Sequence, residues 1–155
     1  MRALKYYVDT SVWNFLLEED RPEHRRATEQ FFRQVRSPDA LVISEVVLQE
    51  IQRAPQARQD ALRTVITRYR PAVLRVSEEA EALADRYIKA GLIPARYRND
   101  ALHLAVAVIE DCDAVVSWNF EHMVKLKTRL GVNGLNKMLG YHQIEIVSPE
   151  EVATT

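Results

Sequence analysis

Short continuous apolar runs alternate along this chain with longer stretches in which apolar residues recur every three or four positions, a pattern of strands feeding helices. The first run, residues 4–8, ends abruptly at Asp9. Thr10 and Ser11 follow, two hydroxyl residues able to cap a helix that begins near Val12 and runs to about Leu17. After the polar break at 18–22, a helix is predicted from Pro22 to Arg36, with Ala27, Phe31, Phe32 and Val35 on its apolar side and Ser37, Pro38 and Asp39 as its stop. Leu41, Val42 and Ile43 read as a strand buried on both faces, and Ser44 caps a helix carrying Val46, Val47, Leu48 and Ile51, with Glu50 among them.

Pro55 marks the next boundary, and residues 56–69 have helical periodicity that Pro71 closes. A third strand is predicted over 72–76. Ser77, Glu78 and Glu79 then open a helix with a hydroxyl cap and acids in its first turn, and Gly91 fits the place just past its end. Beyond a connector at 92–98, Asn99 and Asp100 start a helix that is apolar nearly all round and therefore belongs in the core. A fourth strand over 113–117, a short basic helix over 120–130, a loop over 131–140 and a last strand over 143–147 complete the pattern. Ser148, Pro149, Glu150 and Glu151 have the spacing of a capping box with proline at the first helical position. Strands separated by helices throughout predict an α/β fold, a parallel central sheet of four or five strands flanked by helices.

Composition narrows the setting. At 155 residues the expectation is a single domain over 1–155, and 47% hydrophobic residues argue against disorder. One cysteine, Cys112, supplies neither an internal disulfide nor a zinc cluster, which points to a reducing, cytoplasmic environment. Charges scattered through the first twenty residues leave no room for a signal peptide, and no apolar run is long enough to cross a bilayer. The formal net charge of −1 argues against a protein held on nucleic acid by bulk electrostatics. Between Arg53 and Arg75, however, six arginines face one acid, Asp60, so this segment carries +5. It reads equally as a solvated helix face or as a surface for phosphates or an acidic partner segment.

Three acids stand where a parallel α/β sheet gathers ligands. Asp9 lies at a strand end, Glu50 on the helix after the second strand, and Asp100 at the start of the core helix. Each has an ordinary alternative: a turn cap, a surface glutamate, a first-turn acid. Glu50 is preferred over Glu45 because it sits beside the apolar stripe, three residues after Val47, whereas Glu45 lies in the first turn. Carboxylates brought together repel by roughly 4 kcal/mol per close pair at an effective dielectric of 20, a conflict that a dication removes. Hard oxygen donors without a histidine–cysteine set point to Mg2+ or Mn2+.

The pieces Val8-Asp9-Thr10-Ser11, Ser44 to Ile51 with Glu50, Asn99-Asp100-Ala101-Leu102-His103, and Val115-Val116-Ser117-Trp118-Asn119-Phe120 together resemble, in order and spacing, the PIN domain, the nuclease fold of VapC-type toxins. The resemblance covers nearly the whole chain. It implies metal-dependent cleavage of RNA phosphodiester bonds, with Asp9, Glu50 and Asp100 holding Mg2+ or Mn2+, a cognate antitoxin protein as partner, and a homodimer. The family usually places a fourth acid where this chain has Asn119, so a second metal position lacks its charged ligand; Glu121 is a poor substitute.

Around these acids, Ser11 and Ser117 are expected to support the site through hydrogen bonds, and His103, one turn after Asp100, to be a hydrogen-bonded core histidine rather than a base. Arg98, with Arg96, stands where it can steady a phosphate backbone. Tyr97 is the aromatic best placed to meet a base, while Trp13 and Trp118 read as core. Two other readings compete. A haloacid-dehalogenase-like phosphatase needs a second aspartate where Ser11 stands, and a non-catalytic PIN-like module that binds RNA or protein is favoured by Asn119.

Overall fold

β-Branched and aromatic residues at the apolar runs form short strands, and capped amphipathic segments form the helices between them. In the computed structural model, which describes residues 3–35, 37 and 39–153, β1 (Tyr6–Val8) leads to α1 (Thr10–Phe15) and α2 (Pro22–Gln34). β2 (Leu41–Ser44) leads to α3 (Glu45–Ile51) and α4 (Gln56–Tyr69), and β3 (Ala72–Leu74) to α5 (Glu78–Lys89). One tight turn, Ala95–Tyr97, precedes α6 (Arg98–Ile109). β4 (Ala114–Val116), α7 (Leu126–Leu139), β5 (Glu145–Val147) and α8 (Pro149–Ala153) follow.

The described strands make one sheet in the order β3-β2-β1-β4-β5, every pairing parallel. This arrangement bears out the predicted α/β fold. The chain builds outward from β1 in one direction through β2 and β3, then returns to lay β4 and β5 on the other side. The strand order therefore reverses between β1 and β4, and their carboxyl ends flank the crevice where doubly wound sheets bind ligands. The central strands are buried: Tyr7, Val8, Val42, Ile43, Val115 and Val116 are at most 1% exposed. α6 lies against them with Ala101 and residues 103–108 all buried, as its nearly uniform apolar composition requires. Trp13 and Trp118 are core residues, as read from the sequence.

Local chemistry sets the helix ends. Ser44 accepts from the Val46 N–H and Ser77 from the Ala80 N–H. Ser148 and Glu151 bond reciprocally across the first turn of α8 as a capping box. Gly91 and Gly140 end α5 and α7 with positive φ, 77° and 85°.

Several boundaries differ from the sequence pattern. α1 begins at Thr10 rather than near Val12, with Asp9 at the N-cap position but no side-chain cap hydrogen bond from it. α2 ends at Gln34, and of its predicted end Arg36 lies outside the described residues, as does Pro38 of the predicted stop. β3 stops at Leu74 because the Val76 N–H bonds to Glu45 Oε1, at 2.7 Å, rather than to a neighbouring strand.

The largest correction concerns residues 120–140. The predicted helix over 120–130 begins only at Leu126, and the predicted loop over 131–140 is the body of α7. Packing overrides the weak helix propensity of glycine and asparagine. A Cβ at Gly131 would stand 2.2 Å from Leu92 Cδ2, so this glycine permits a close approach. Asn133 exchanges two hydrogen bonds with the Ile144 backbone, and buried Asn136 accepts from the Tyr87 hydroxyl.

Candidate active site

Asp9 stands at the carboxyl end of β1, next to the end of β4, and is 4% exposed. Both its oxygens are held. Ser11 Oγ donates to Oδ1 at 2.5 Å and Ser117 Oγ to Oδ2 at 2.6 Å. Each hydroxyl in turn accepts from a backbone N–H just past β4, Ser11 from Trp118 and Ser117 from Asn119, both at 2.9 Å. Hydroxyls that accept from an amide donate more strongly, so the two serines form a clasp tying both strand ends to one carboxylate. Burial pushes the Asp9 carboxyl above its ordinary range and Glu50 adds to the rise. His103 and the two serines pull the other way without reversing it.

Glu50, on α3, has 26% of its side chain exposed. Its Oε1 accepts from Thr10 Oγ1 at 2.6 Å and lies 2.7 Å from His103 Nε2. Burial alone would raise this carboxyl, but His103, as partner and as charge, and Thr10 and Asn99 more than offset that and hold it below its ordinary range. His103 is 2% exposed and is bonded on both ring nitrogens, Nδ1 meeting the Tyr7 hydroxyl at 2.6 Å. Burial works against its protonated form, yet Glu50, Asp9 and Asp100 together push its pKa up. It is thus the hydrogen-bonded histidine expected from the sequence, here bridging the core to Glu50.

Asp100, in the first turn of α6, completes the acidic edge. Burial raises its carboxyl, and so does Asp9, while His103, Asn119 and His122 lower it. Asn119 Nδ2 donates to Asp100 Oδ2 at 3.1 Å, and Asn119 Oδ1 accepts from the His122 N–H at 2.9 Å, which fixes the amide at both ends. The His122 ring stacks on Tyr97 with centroids 4.2 Å apart and 32° between planes, and the Arg96 guanidinium lies over Tyr97. Tyr97, three residues before Asp100, is 36% exposed. Arg98 pairs with Asp85 of α5.

His103 thus lies within electrostatic reach of Asp9, Glu50 and Asp100, and Asp9 of both other acids, with Ser11, Ser117 and Asn119 bonded to the acids. The structure adds partners that the sequence reading passed over. Thr10, read only as a cap, bonds Glu50. Tyr7, Ser44 and His122 also join the network. Parity supplies a signal for Tyr7: the backbone stays extended to Asp9, so Tyr7, two residues earlier, shares its face.

The donor set suits a hard divalent cation: three carboxylates, one amide, no thiolate, and an imidazole already engaged on both nitrogens. Two of the three carboxyls are pushed up by burial and mutual repulsion, the conflict such an ion relieves. The side chains as they stand do not make a finished cage. Among the described residues, no three acidic, histidine or cysteine side chains are gathered as ligands of one ion.

The PIN domain family model matches residues 6–121, which include Asp9, Glu50, Asp100, His103, Ser11, Ser117 and Asn119. The chain belongs to the PIN domain family. Solved structures similar to this PIN domain include the sarcin–ricin-loop-cleaving toxin VapC20 of Mycobacterium tuberculosis, 17% identical, covering 76% of this chain and 92% of that one with a TM-score of 0.57. VapBC2 from Rickettsia felis, bound to a fragment of its promoter DNA, is 14% identical, with 94% and 98% of the two chains covered and a TM-score of 0.55. DNA-bound VapBC from Salmonella typhimurium is 22% identical, with 95% and 99% covered and a TM-score of 0.53. At these identities the likeness is one of fold. No curated protein matches the chain in sequence. Among the described residues no helix is long and apolar enough to cross a membrane.

Proposed function

We propose that this PIN domain is a Mg2+- or Mn2+-dependent endoribonuclease and the toxin half of a toxin–antitoxin pair. What supports the reading is the place of Asp9 at the strand-order reversal of a PIN domain chain and its electrostatic coupling to Glu50 and to Asp100. These three carboxylates would hold the cation, which supplies, when bound, polarisation of a phosphate oxygen and a more acidic water. The chain's own residues do the positioning. Ser11 and Ser117 orient Asp9, Thr10 and His103 do the same for Glu50, and Asn119 steadies Asp100. Tyr97 and Arg96 border the Asp100 side, where a base and a phosphate of single-stranded RNA would meet them.

The VapBC neighbours support an antitoxin protein as partner. A homodimer and a cytoplasmic location complete the reading. A second reading, a PIN-like module that binds RNA or protein without cutting, is favoured by Asn119, whose amide bonds Asp100 where the family usually has an acid.

Cleavage of a structured RNA pool by wild type and Asp9→Asn, each with Mn2+ and with chelator, separates the two. The nuclease reading expects chelator or mutation to slow cleavage by about 100- to 1,000-fold, the several kcal/mol that a Lewis acid supplies. RNA binding without cleavage, unchanged by either treatment, would establish the binding module instead.

A further inference from the structure

A line of buried side chains runs from the sheet to Glu50. Ser44 Oγ, which accepts from the Val46 N–H, lies 2.6 Å from the Tyr7 hydroxyl, and that hydroxyl lies 2.6 Å from His103 Nδ1. His103 Nε2 then meets Glu50 Oε1 at 2.7 Å, and Oε1 also accepts from Thr10. Ser44, Tyr7 and His103 are at most 2% exposed. The proton positions follow from what each atom can do. An ionised Glu50 only accepts, so Nε2 carries a hydrogen. Nδ1 then either accepts from Tyr7 in the neutral ring or donates to it in the charged one. Both arrangements keep every member bonded, and both aim the same N–H at Glu50.

From this geometry we propose that His103 is a positioning residue, through which the Tyr7 hydroxyl fixes the Glu50 carboxylate at the acidic site. The inference rests on the reading of that site as a cation site. Glu50 is the acid that His103 reaches by a hydrogen bond. It is borne on the short helix α3, its side chain is more exposed than that of Asp9, and its Oε1 is shared by Thr10 and His103. Hydrogen-bonded support of a ligating carboxylate is what keeps it aimed at an ion between binding events. Because α6 also carries Asp100, three residues before His103, the same helix that supplies one acid aims another.

The test measures Mn2+ affinity, by the electron-spin signal of the free ion, and cleavage kinetics for wild type, His103→Leu, His103→Gln and Tyr7→Phe, with thermal melting of each. His103→Leu removes the aiming N–H but leaves Tyr7 bonded to Ser44. It is expected to weaken Mn2+ binding about 10- to 100-fold and to lower kcat with KM for RNA unchanged. His103→Gln restores an N–H near the Nε2 position and is expected to recover most of the affinity. Tyr7→Phe, which removes one oxygen, is expected to weaken binding several-fold and carries the test should His103→Leu fail to fold. A folded His103→Leu, or in its absence Tyr7→Phe, that binds Mn2+ as tightly as wild type overturns the inference and leaves the nuclease reading standing. Wild type that binds no Mn2+ overturns both.

Discussion

The two sides of the acidic edge are built differently. Around Asp9 and Glu50 the bonded carboxylate oxygens are held by Ser11, Ser117, Thr10 and His103; Ser11, Ser117 and His103 are themselves held by further hydrogen bonds, and Ser117 and His103 are buried. Around Asp100 the support thins to one amide, Asn119, and the chain on either side of this edge is more open: Tyr97 is 36% exposed and Phe120, next to Asn119, 49%. There the buried His122 Nε2 has no hydrogen-bond partner among the described residues and stands 3.5 Å from the exposed Glu121. A clasped side defines where charge sits, and an open side leaves room for something to arrive. The difference teaches that the site is preorganised from the β1–β4 seam and adjustable at the start of α6, as a substrate-binding edge needs.

The sharpest way to break this contrast is to open the clasp. Ser117→Ala leaves Asp9 Oδ2 buried without its donor and is expected to destabilise the fold by about 1–3 kcal/mol in urea denaturation. Thr10→Val removes one of the donors to the partly exposed Glu50 and is expected to cost about 0.5–1.5 kcal/mol by the same measurement. On the open side, Asn119→Ala removes the Asp100 contact from a half-buried position and is expected to cost about 0.5 kcal/mol or less. Equal losses for Ser117→Ala and Asn119→Ala would erase the distinction.

The pH dependence of stability, in chelator, sharpens it by sign. His103 titrates above its ordinary value of 6.5, so its contribution is fully present below that pH and is lost as pH rises through the folded value. Asp9 and Asp100, also raised, favour the fold in their protonated forms, and that contribution is lost as pH rises from about 3.8 through their folded values. Glu50, lowered, contributes above 4.5 and loses its share as pH falls through its folded value. His103→Gln is expected to flatten the loss of stability above pH 6.5; an unchanged slope would mean that His103 is not the titrating group.

Much of the fold was legible because its signals are local. The Ser44 and Ser77 caps, the Ser148–Glu151 box and the proline boundaries each depend on a few adjacent residues, and α4 spans the expected residues 56–69. α7 was not legible because its glycines and asparagines answer to distant partners, Gly131 to Leu92 and Asn136 to Tyr87, which no local propensity encodes. The acids of the candidate site stood out because a carboxylate at a strand end or beside an apolar stripe is conspicuous on its own. Their supports were hidden for the same reason as α7. Glu50 meets Thr10 across forty positions and His103 across fifty-three, and Arg98, read as a phosphate contact, is paired with Asp85, thirteen residues back.

Anomalous diffraction from a crystal soaked in Mn2+ tests the central claim most directly. The expected result is a peak bounded by the Asp9, Glu50 and Asp100 carboxylates, with those side chains turned to share it, and no such peak in Asp9→Asn. Clear density for the three side chains with no ion among them, at saturating Mn2+, would contradict it.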